Sequence, residues 1–570
     1  MKYLGKSKYF TSDAGVHQGD PLAGLLFALA FHPVLLAIRE RVPDLPLNVA
    51  FYDDLTAAGS KEQLRVVVDT VLELGPPRGL LLSTRQTVPA GAKPKTTIWS
   101  RAAEVEDYVD PLQRGISRLQ EQGVTLLGVP LGHHRFVAAA LEEKRIKVTE
   151  VTTLLPHLKD PHVEFCLLRS CLSLAKVMYL LRAVDTTDHL DALKEFDDIT
   201  REGLGRILGV GIPEQQWQQA KLPVTLGGMG LPAAQDHAAA AFAASFLSSQ
   251  PMVRDMLDTP ENQPDAALPP AILTTLTATM GEEEVVTQEA ITGLTQKQLS
   301  TKVSRTNQRL LLTQIKEDAD EREVARLASV SLPHAGAWLN CTPLPALGLH
   351  LRPEEFATAA KFRLGLPMFS SAGPCPACLA PSDIMGDHAL CCGTGGERIA
   401  RHDQMRNAIY NTAVEAGLAP IREGRALLPG TARRPADILI PAWAGGRNAA
   451  LDVTITHPLQ EATRAGAATT PGHAMVEAYK RKMRDADELC RRENIVFVPV
   501  VAESLGGLHP VALDQLRRLG RALSLRTGQR EEEATAHLTS RISLTIMKGL
   551  ASLVLNRIPD HPSDETSGCQ

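Results

Sequence analysis

The sequence has no excess of basic residues. Its 60 Lys and Arg stand against 65 Asp and Glu, a formal net charge of −5. No overall positive field advertises a nucleic-acid partner, so any such surface must be a local patch. It also has no unbroken apolar run of bilayer length. The longest, Leu22 to Phe31, stops at His32 and Pro33, short of the ~20 residues a spanning helix needs. A secretory signal pattern is missing at the start, and the expectation is a soluble, intracellular protein with no membrane partner. An even set of cysteines is missing too. Nine in a long chain argue against a disulfide framework and for thiols or metal ligands. There is no internal repeat.

What is present is ordinary globular material, 44% hydrophobic and 22% charged over 570 residues, enough at ~100–200 residues each for several domains. The expected class is α+β and multidomain. Residues 1–135 mix strand-like and helix-like segments. "QGDPLAGLLFALAFHPVLLAI" reads as a helix capped by Asp20, started by Pro21 and kinked at Pro33. Residues 136–250 carry helical periodicity. Composition then shifts to Pro, Thr, Asp and Glu, as in "DTPENQPDAALPP", which predicts a linker or exposed loop from 250 to about 290 within a linker and helical region at 251–370. A cysteine-bearing segment occupies 371–396. From 397 to 525 come a helix ending at Gly417, the β-rich runs "ADILIPAW" and "NAALDVTIT", a basic helix at about 475–492 and the apolar run "IVFVPVV". Residues 526–570 read as a C-terminal helix and a disordered tail.

Three constellations carry chemistry. "NVAFYDDLTAAG" places Asp53 and Asp54 inside an apolar run, a pattern that fits a β-hairpin with the carboxylates at its tip. Adjacent acids repel and lose hydration when buried. A divalent cation removes that cost, and so does a solvated turn. "CPACLAPSDIMGDHALCC" offers Cys375, Cys378, His388, Cys391 and Cys392. Thiolates and an imidazole at these intervals suit a closed, tetrahedral, structural Zn²⁺, the alternative being free thiols beside a satisfied histidine. Either Cys391 or Cys392 can complete the set. The isolated Cys166, Cys171, Cys341, Cys490 and Cys569 read as inert. Third, "RRPADILI" and "NAALDVTIT" put Asp437 and Asp452 on neighbouring strands, with Asp452 on the polar face of a half-buried strand. Strand-borne carboxylates converging on Mg²⁺ or Mn²⁺ are what metal-assisted hydrolysis of a phosphodiester needs. A nearby lysine would stabilise developing charge. In "MVEAYKRKMRDADELC", Val476, Tyr479, Met483 and Cys490 mark the expected buried face, which favours Lys480 over Lys482. Glu423 is a weaker candidate ligand. The alternative is an ordinary α/β domain whose aspartates cap strands or pair with Arg433 and Arg434.

In this order the motifs resemble those of non-LTR retrotransposon proteins. "QGDP", "FYDD" and the glycine-containing "GVTLLGVPLG" are similar to the palm of reverse transcriptases. A helical thumb-like region, the cysteine–histidine knuckle, the "RHD" helix and a unit resembling PD-(D/E)xK restriction-like nucleases follow. The basic nuclease motif has lysine two residues after the second acid, where this chain has Thr454. The resemblance implies an RNA-directed DNA polymerase joined to a DNA nickase for target-primed reverse transcription, with DNA and RNA as partners and a nuclear location. It implies Asp53 and Asp54 as polymerase Mg²⁺ ligands and Gln18 and Gly19 as template and nucleotide contacts. It also implies Cys375, Cys378, His388 and Cys392 as Zn²⁺ ligands, and Asp437, Asp452 and Lys480 as the nuclease set. Arg398, Arg401, His402, Arg517, Arg518 and Arg521 are candidate phosphate contacts, solvated faces being the alternative. The family's further aspartate lies upstream of "QGDP". Here only Asp13 precedes Gln18 and the fingers are lacking, so the expectation is a polymerase incomplete on its own. The competing reading is a catalytically dead, zinc-stabilised nucleic-acid-binding relic. Nothing in the sequence sets the oligomeric state.

Overall fold

The computed structural model describes residues 2–3, 6–7, 19–89, 91–92, 94–100, 114–118, 122–257, 259–260, 265–282, 285–423 and 436–558. Gln18, Asp13, Arg433, Arg434 and Cys569 lie outside them. Helices dominate, with several small sheets. The chain divides into two compact units, residues 1–141 with 245–268, and residues 142–244 with 269–570.

In the first unit, α1 (Ala23–Arg41) begins three residues beyond the proposed cap. Asp20 instead closes the preceding turn, its Oδ1 accepting from Leu22 N at 2.8 Å. The helix continues through Pro33, and Phe31, Val34 and Ile38 supply its buried face. Strands β1 (Leu47–Phe51) and β2 (Asp54–Ala58) pair antiparallel. Helix α2 (Lys61–Leu74) starts with a capping box between Ser60 and Gln63, which satisfies two otherwise unpaired N–H groups. Its Val67 and Val71 close the core against α1. A second hairpin joins β3 (Gly123–Leu126) to β4 (Val129–Gly132) through Leu127 and Gly128, both at positive φ.

In the second unit, the region expected as a linker contains a helix, Pro270–Met280, started by Pro270 and ended by left-handed Gly281. Its Ile272, Leu276 and Met280 recur every four residues and are buried, a signal masked by the prolines and threonines around it. Helices α3 (Gln296–Glu317), α4 (Glu321–Val330) and α5 (Pro353–Leu364) follow, then the short α6 (Asp387–Cys391) and α7 (Glu397–Glu415). Left-handed Gly417 lies just beyond α7.

A four-stranded sheet has the order β5 (Ile421–Arg422), β6 (Ile438–Ala444), β7 (Arg447–Thr456), β8 (Val496–Glu503). β6 and β7 are antiparallel. β7 and β8 are parallel from Ala449↔Val496 to Thr456↔Glu503, joined by a crossover through α8 (Glu461–Thr469) and α9 (His473–Arg492). Such a parallel pair needs a long crossover and both faces covered. Ala449, Ala450 and Leu451 are all fully buried, so both faces of β7 are packed, contrary to the half-buried strand expected. Helices α10 (Pro510–Thr527) and α11 (Glu531–Leu555) complete the unit. Leu550, Leu553 and Val554 of α11 enter a core with Leu327, Val330, Phe362 and Leu390.

By length and composition alone, α1 and α11 reach what a membrane crossing requires. In α11 67% of the most apolar window is buried inside the protein, against 17% in α1. Average hydropathy passes both because scattered polar residues break each run without lowering its mean.

Candidate functional site

The cysteine–histidine segment folds as a small closed turn. The pairs Gly373–Pro374 and Pro381–Ser382 form a two-stranded ribbon. Between them Cys375 N donates to Ala380 O, and Leu379 N donates to Cys375 O, both at 2.8 Å. Asp383 receives the N–H groups of Met385, Asp387 and His388 at 2.8, 3.3 and 3.2 Å. It thereby fixes the start of α6, while Arg322 grips Asp387 with two bonds of 2.6 and 2.7 Å. The result gathers one ligand atom from each of Cys375, Cys378, His388 and Cys392, all within 4.8 Å of one another. Sulfurs about 2.3 Å from a tetrahedral zinc stand about 3.8 Å apart, so the cage has the size and the donor types for that ion. Four protein donors would fill such a tetrahedron, an arrangement compatible with a structural zinc. Cys391 is outside the group, and burial pushes its thiol up to about 11.

The acids of the sheet are brought together as well. Asp437 N donates to Leu451 O at 3.0 Å, and the register Ile438↔Leu451, carried one step further, sets Asp437 opposite Asp452. Val453 N donates to Asp437 Oδ2 at 2.7 Å. His402 of α7 places Nε2 3.1 Å from that same oxygen and 3.1 Å from Val453 O, with Nδ1 3.2 Å from Asp403 Oδ1. Both ring nitrogens thus face acceptors only, which suits the imidazolium. The bond to Asp437 pushes His402 up to about 9 against the effect of burial. Burial would raise the Asp437 carboxyl, but His402 and Val453 N–H bring it below its ordinary value. Burial does raise Asp452.

Lys482, and not Lys480, stands at Asp452. Its Nζ lies 2.8 Å from Asp452 Oδ2, while that oxygen is buried and makes no directed hydrogen bond. Lys480 is 61% exposed and pairs with Glu477 at 2.9 Å. The physical reason is helix phase. In α9 Met475, Ala478 and Cys490 are buried, and the expected Tyr479 and Met483 are partly buried with Ala486 and Leu489, while Val476 is exposed. Lys482, four residues after Ala478, falls on the stripe these make and Lys480 falls off it. The sequence reading passed over Lys482 because two alanines give the stripe little hydrophobic contrast.

The other candidates resolve differently. The Glu423 N–H reaches Asp437 O at 3.0 Å, but its carboxylate pairs with Arg406 at 2.9 Å. Arg401 is no phosphate contact. It is 4% exposed, and burial lowers its pKa to about 10. His402 likewise serves Asp437. Arg518 donates to Trp443 O at 2.6 Å and lies over that ring, and Arg521 pairs with Glu531 at 3.0 Å. Arg398 is exposed, with Nη1 3.4 Å from Cys391 O.

In the first unit Asp54 opens β2 opposite Phe51, and Tyr52 and Asp53 form the turn, Tyr52 at φ 54°. Both carboxylates are exposed. A Cβ on Gly24 would sit 2.9 Å from the Tyr52 ring, so glycine there lets the hairpin tip approach α1. Gly19 has φ +96° and open space around it. Among the described residues no third acid joins Asp53 and Asp54.

No protein-family model matches the chain. A stretch of 115 residues is 30% identical to the retrovirus-related Pol polyprotein from type-1 retrotransposable element R2 of Bradysia coprophila. The match covers 18% of this chain and 13% of that polyprotein. The chain is therefore related, distantly and in part, to a non-LTR retrotransposon polyprotein.

Proposed function

We propose that this retroelement-derived protein nicks DNA through its C-terminal part, residues 397–525, with a divalent cation. The single observation behind this is the placement of Asp437, just before β6, against β7, which carries Asp452, with Lys482 at the second acid. Asp437 and Asp452 would hold Mg²⁺ or Mn²⁺, hard cations suited to carboxylate oxygens. When bound, the ion supplies activation of water and neutralisation of phosphate charge. His402 keeps Asp437 ionised and oriented. Lys482 sets a second cation where charge develops on a phosphate. DNA and RNA are the proposed partners and the nucleus the proposed location. The exposed Asp53 and Asp54 are proposed as Mg²⁺ ligands, with Gln18 and Gly19 proposed as template and nucleotide contacts.

One observation favours a second reading. His402 and Lys482 already neutralise both nuclease-like acids, as they would in a folded but catalytically dead nucleic-acid-binding relic. Nicking of supercoiled plasmid by the purified chain in Mg²⁺ or Mn²⁺ separates the two. Nicking that disappears in Asp452→Ala supports the nuclease. No nicking by a folded, zinc-loaded protein across varied DNA targets, together with retained DNA binding, supports the relic.

A further inference from the structure

The knuckle is closed by a residue from the far end of the chain. Arg557, just beyond α11, is 1% exposed, an unusual place for a guanidinium unless its donors are engaged. Its Nη1 donates to Leu553 O at 3.1 Å, which holds it to its own helix. Its Nη2 donates to Thr394 O at 2.5 Å and to Glu397 Oε2 at 2.9 Å. Asn556 adds a bond to Glu397 Oε1 at 3.3 Å. The Cys392 sulfur meets the same Thr394 carbonyl oxygen at 3.9 Å, so guanidinium and sulfur share one acceptor. The loop is shaped for this approach. Gly395 has φ +91°, and a Cβ there would stand 3.1 Å from Arg557 Nη2. Arg557 Nε is buried and makes no directed hydrogen bond.

A site of three thiolates and a neutral imidazole around a divalent cation carries one net negative charge. Cys392 and Cys375 are buried, so that charge is poorly hydrated and needs a cation from the protein. Groups that hydrogen-bond to metal ligands typically govern affinity by about 10–100-fold. We propose that Arg557 is the positioning residue of the Cys375–Cys378–His388–Cys392 centre, and that metal binding there fastens the end of α11 to the knuckle. This rests on reading those four residues as a metal site. Because coupling is reciprocal, docking of the helix end tightens the metal, and the metal protects the helix end.

The test uses the full chain, reduced and loaded with Zn²⁺ or Co²⁺. Zinc affinity, measured by competition with a chromophoric chelator, is expected to fall about 10–100-fold in Arg557→Gln, with partial recovery in Arg557→Lys. With Co²⁺, the sulfur-to-cobalt charge-transfer band of Arg557→Gln should shift while the ligand-field bands, which report the four donors, stay. A merely structural role would leave the charge-transfer band in place. In the wild-type chain, removing zinc should speed amide exchange over Leu550–Arg557. This measurement needs no variant and decides the matter if Arg557→Gln does not fold. A wild-type chain that binds zinc but shows no change in exchange overturns the proposal and leaves the metal site standing. So does a folded Arg557→Gln with unchanged affinity and spectrum. A wild-type chain that takes up no zinc overturns both.

Discussion

Two pairs of aspartates set the two units of this molecule apart. Asp53 and Asp54 stand exposed at a hairpin tip, with no ion pair among the described residues. Asp437 and Asp452 are drawn into a covered sheet, each with a cation at 3.1 or 2.8 Å. Water screens the first pair, and its position depends on a two-residue turn. Protein screens the second pair poorly, so its geometry is tied to two helices. An acid pair held this way can keep a precise arrangement without its metal, and one left at a tip depends on what binds it.

The largest effect that tests this contrast is on nicking. Asp452→Ala should lower it at least about 10³-fold, whereas Asp53→Asn should leave it unchanged, read on supercoiled plasmid. Equal losses in the two variants would mean that one catalytic centre uses both pairs. Helix phase gives the next test. Lys482→Ala should cost about 10²-fold in the nicking rate, and Lys480→Ala should change stability by less than about 0.5 kcal/mol and nicking hardly at all. If Lys480→Ala were the damaging change, the packing of α9 described above would be wrong.

The knuckle extends the comparison to a site whose charge is set by soft ligands. Stripping zinc should lower stability by about 4 kcal/mol if free metal stood roughly 1,000-fold above its dissociation constant, measured as a fall in unfolding temperature on chelation. The loss should centre on residues packed against α6 and the end of α11, with α1 and α2 of the other unit unaffected.

What could be read from the sequence follows the distance over which each feature is decided. The Tyr52–Asp53 turn and the four knuckle donors are specified by neighbours within a few residues, and turn chemistry and ligand spacing are local signals. Asp437 and Asp452 are visible as strand residues, and the register places them opposite one another. Their cations were not legible. His402 reads as a candidate phosphate contact beside the knuckle, because nothing on α7 announces that it faces the sheet. Lys482 was hidden by Ala478 and Ala486, which mark a buried face by being small. Arg401 reads as a surface charge, and Arg557 carries no signal of its own in the sequence, since arginine is seldom buried. Their burial is decided by Gly549 and by the knuckle loop, both distant in sequence.

A third kind of acid sharpens the comparison further, with the smallest effect. Glu503 ends β8 fully buried, with no cation paired to it among the described residues. Its Oε2 accepts from Ser329 Oγ, and Oε1 has no partner. Burial, only partly offset by Ser329, pushes its carboxyl up to about 7. A folded-state value above the unfolded one of 4.5 means that the native protein holds a proton the unfolded chain has released. Glu503 is therefore neutral to stability below about pH 4.5 and destabilises increasingly from there up to about pH 7, after which the penalty is constant. Glu503→Gln removes the ionisable group and keeps the shape. It should raise stability at pH 8 by about 3 kcal/mol, and the gain should shrink below about 1 kcal/mol near pH 5. Denaturant unfolding of both proteins across that range checks it. A gain independent of pH would assign the effect to packing, and none at all would mean that water reaches Glu503 as freely as it reaches Asp53.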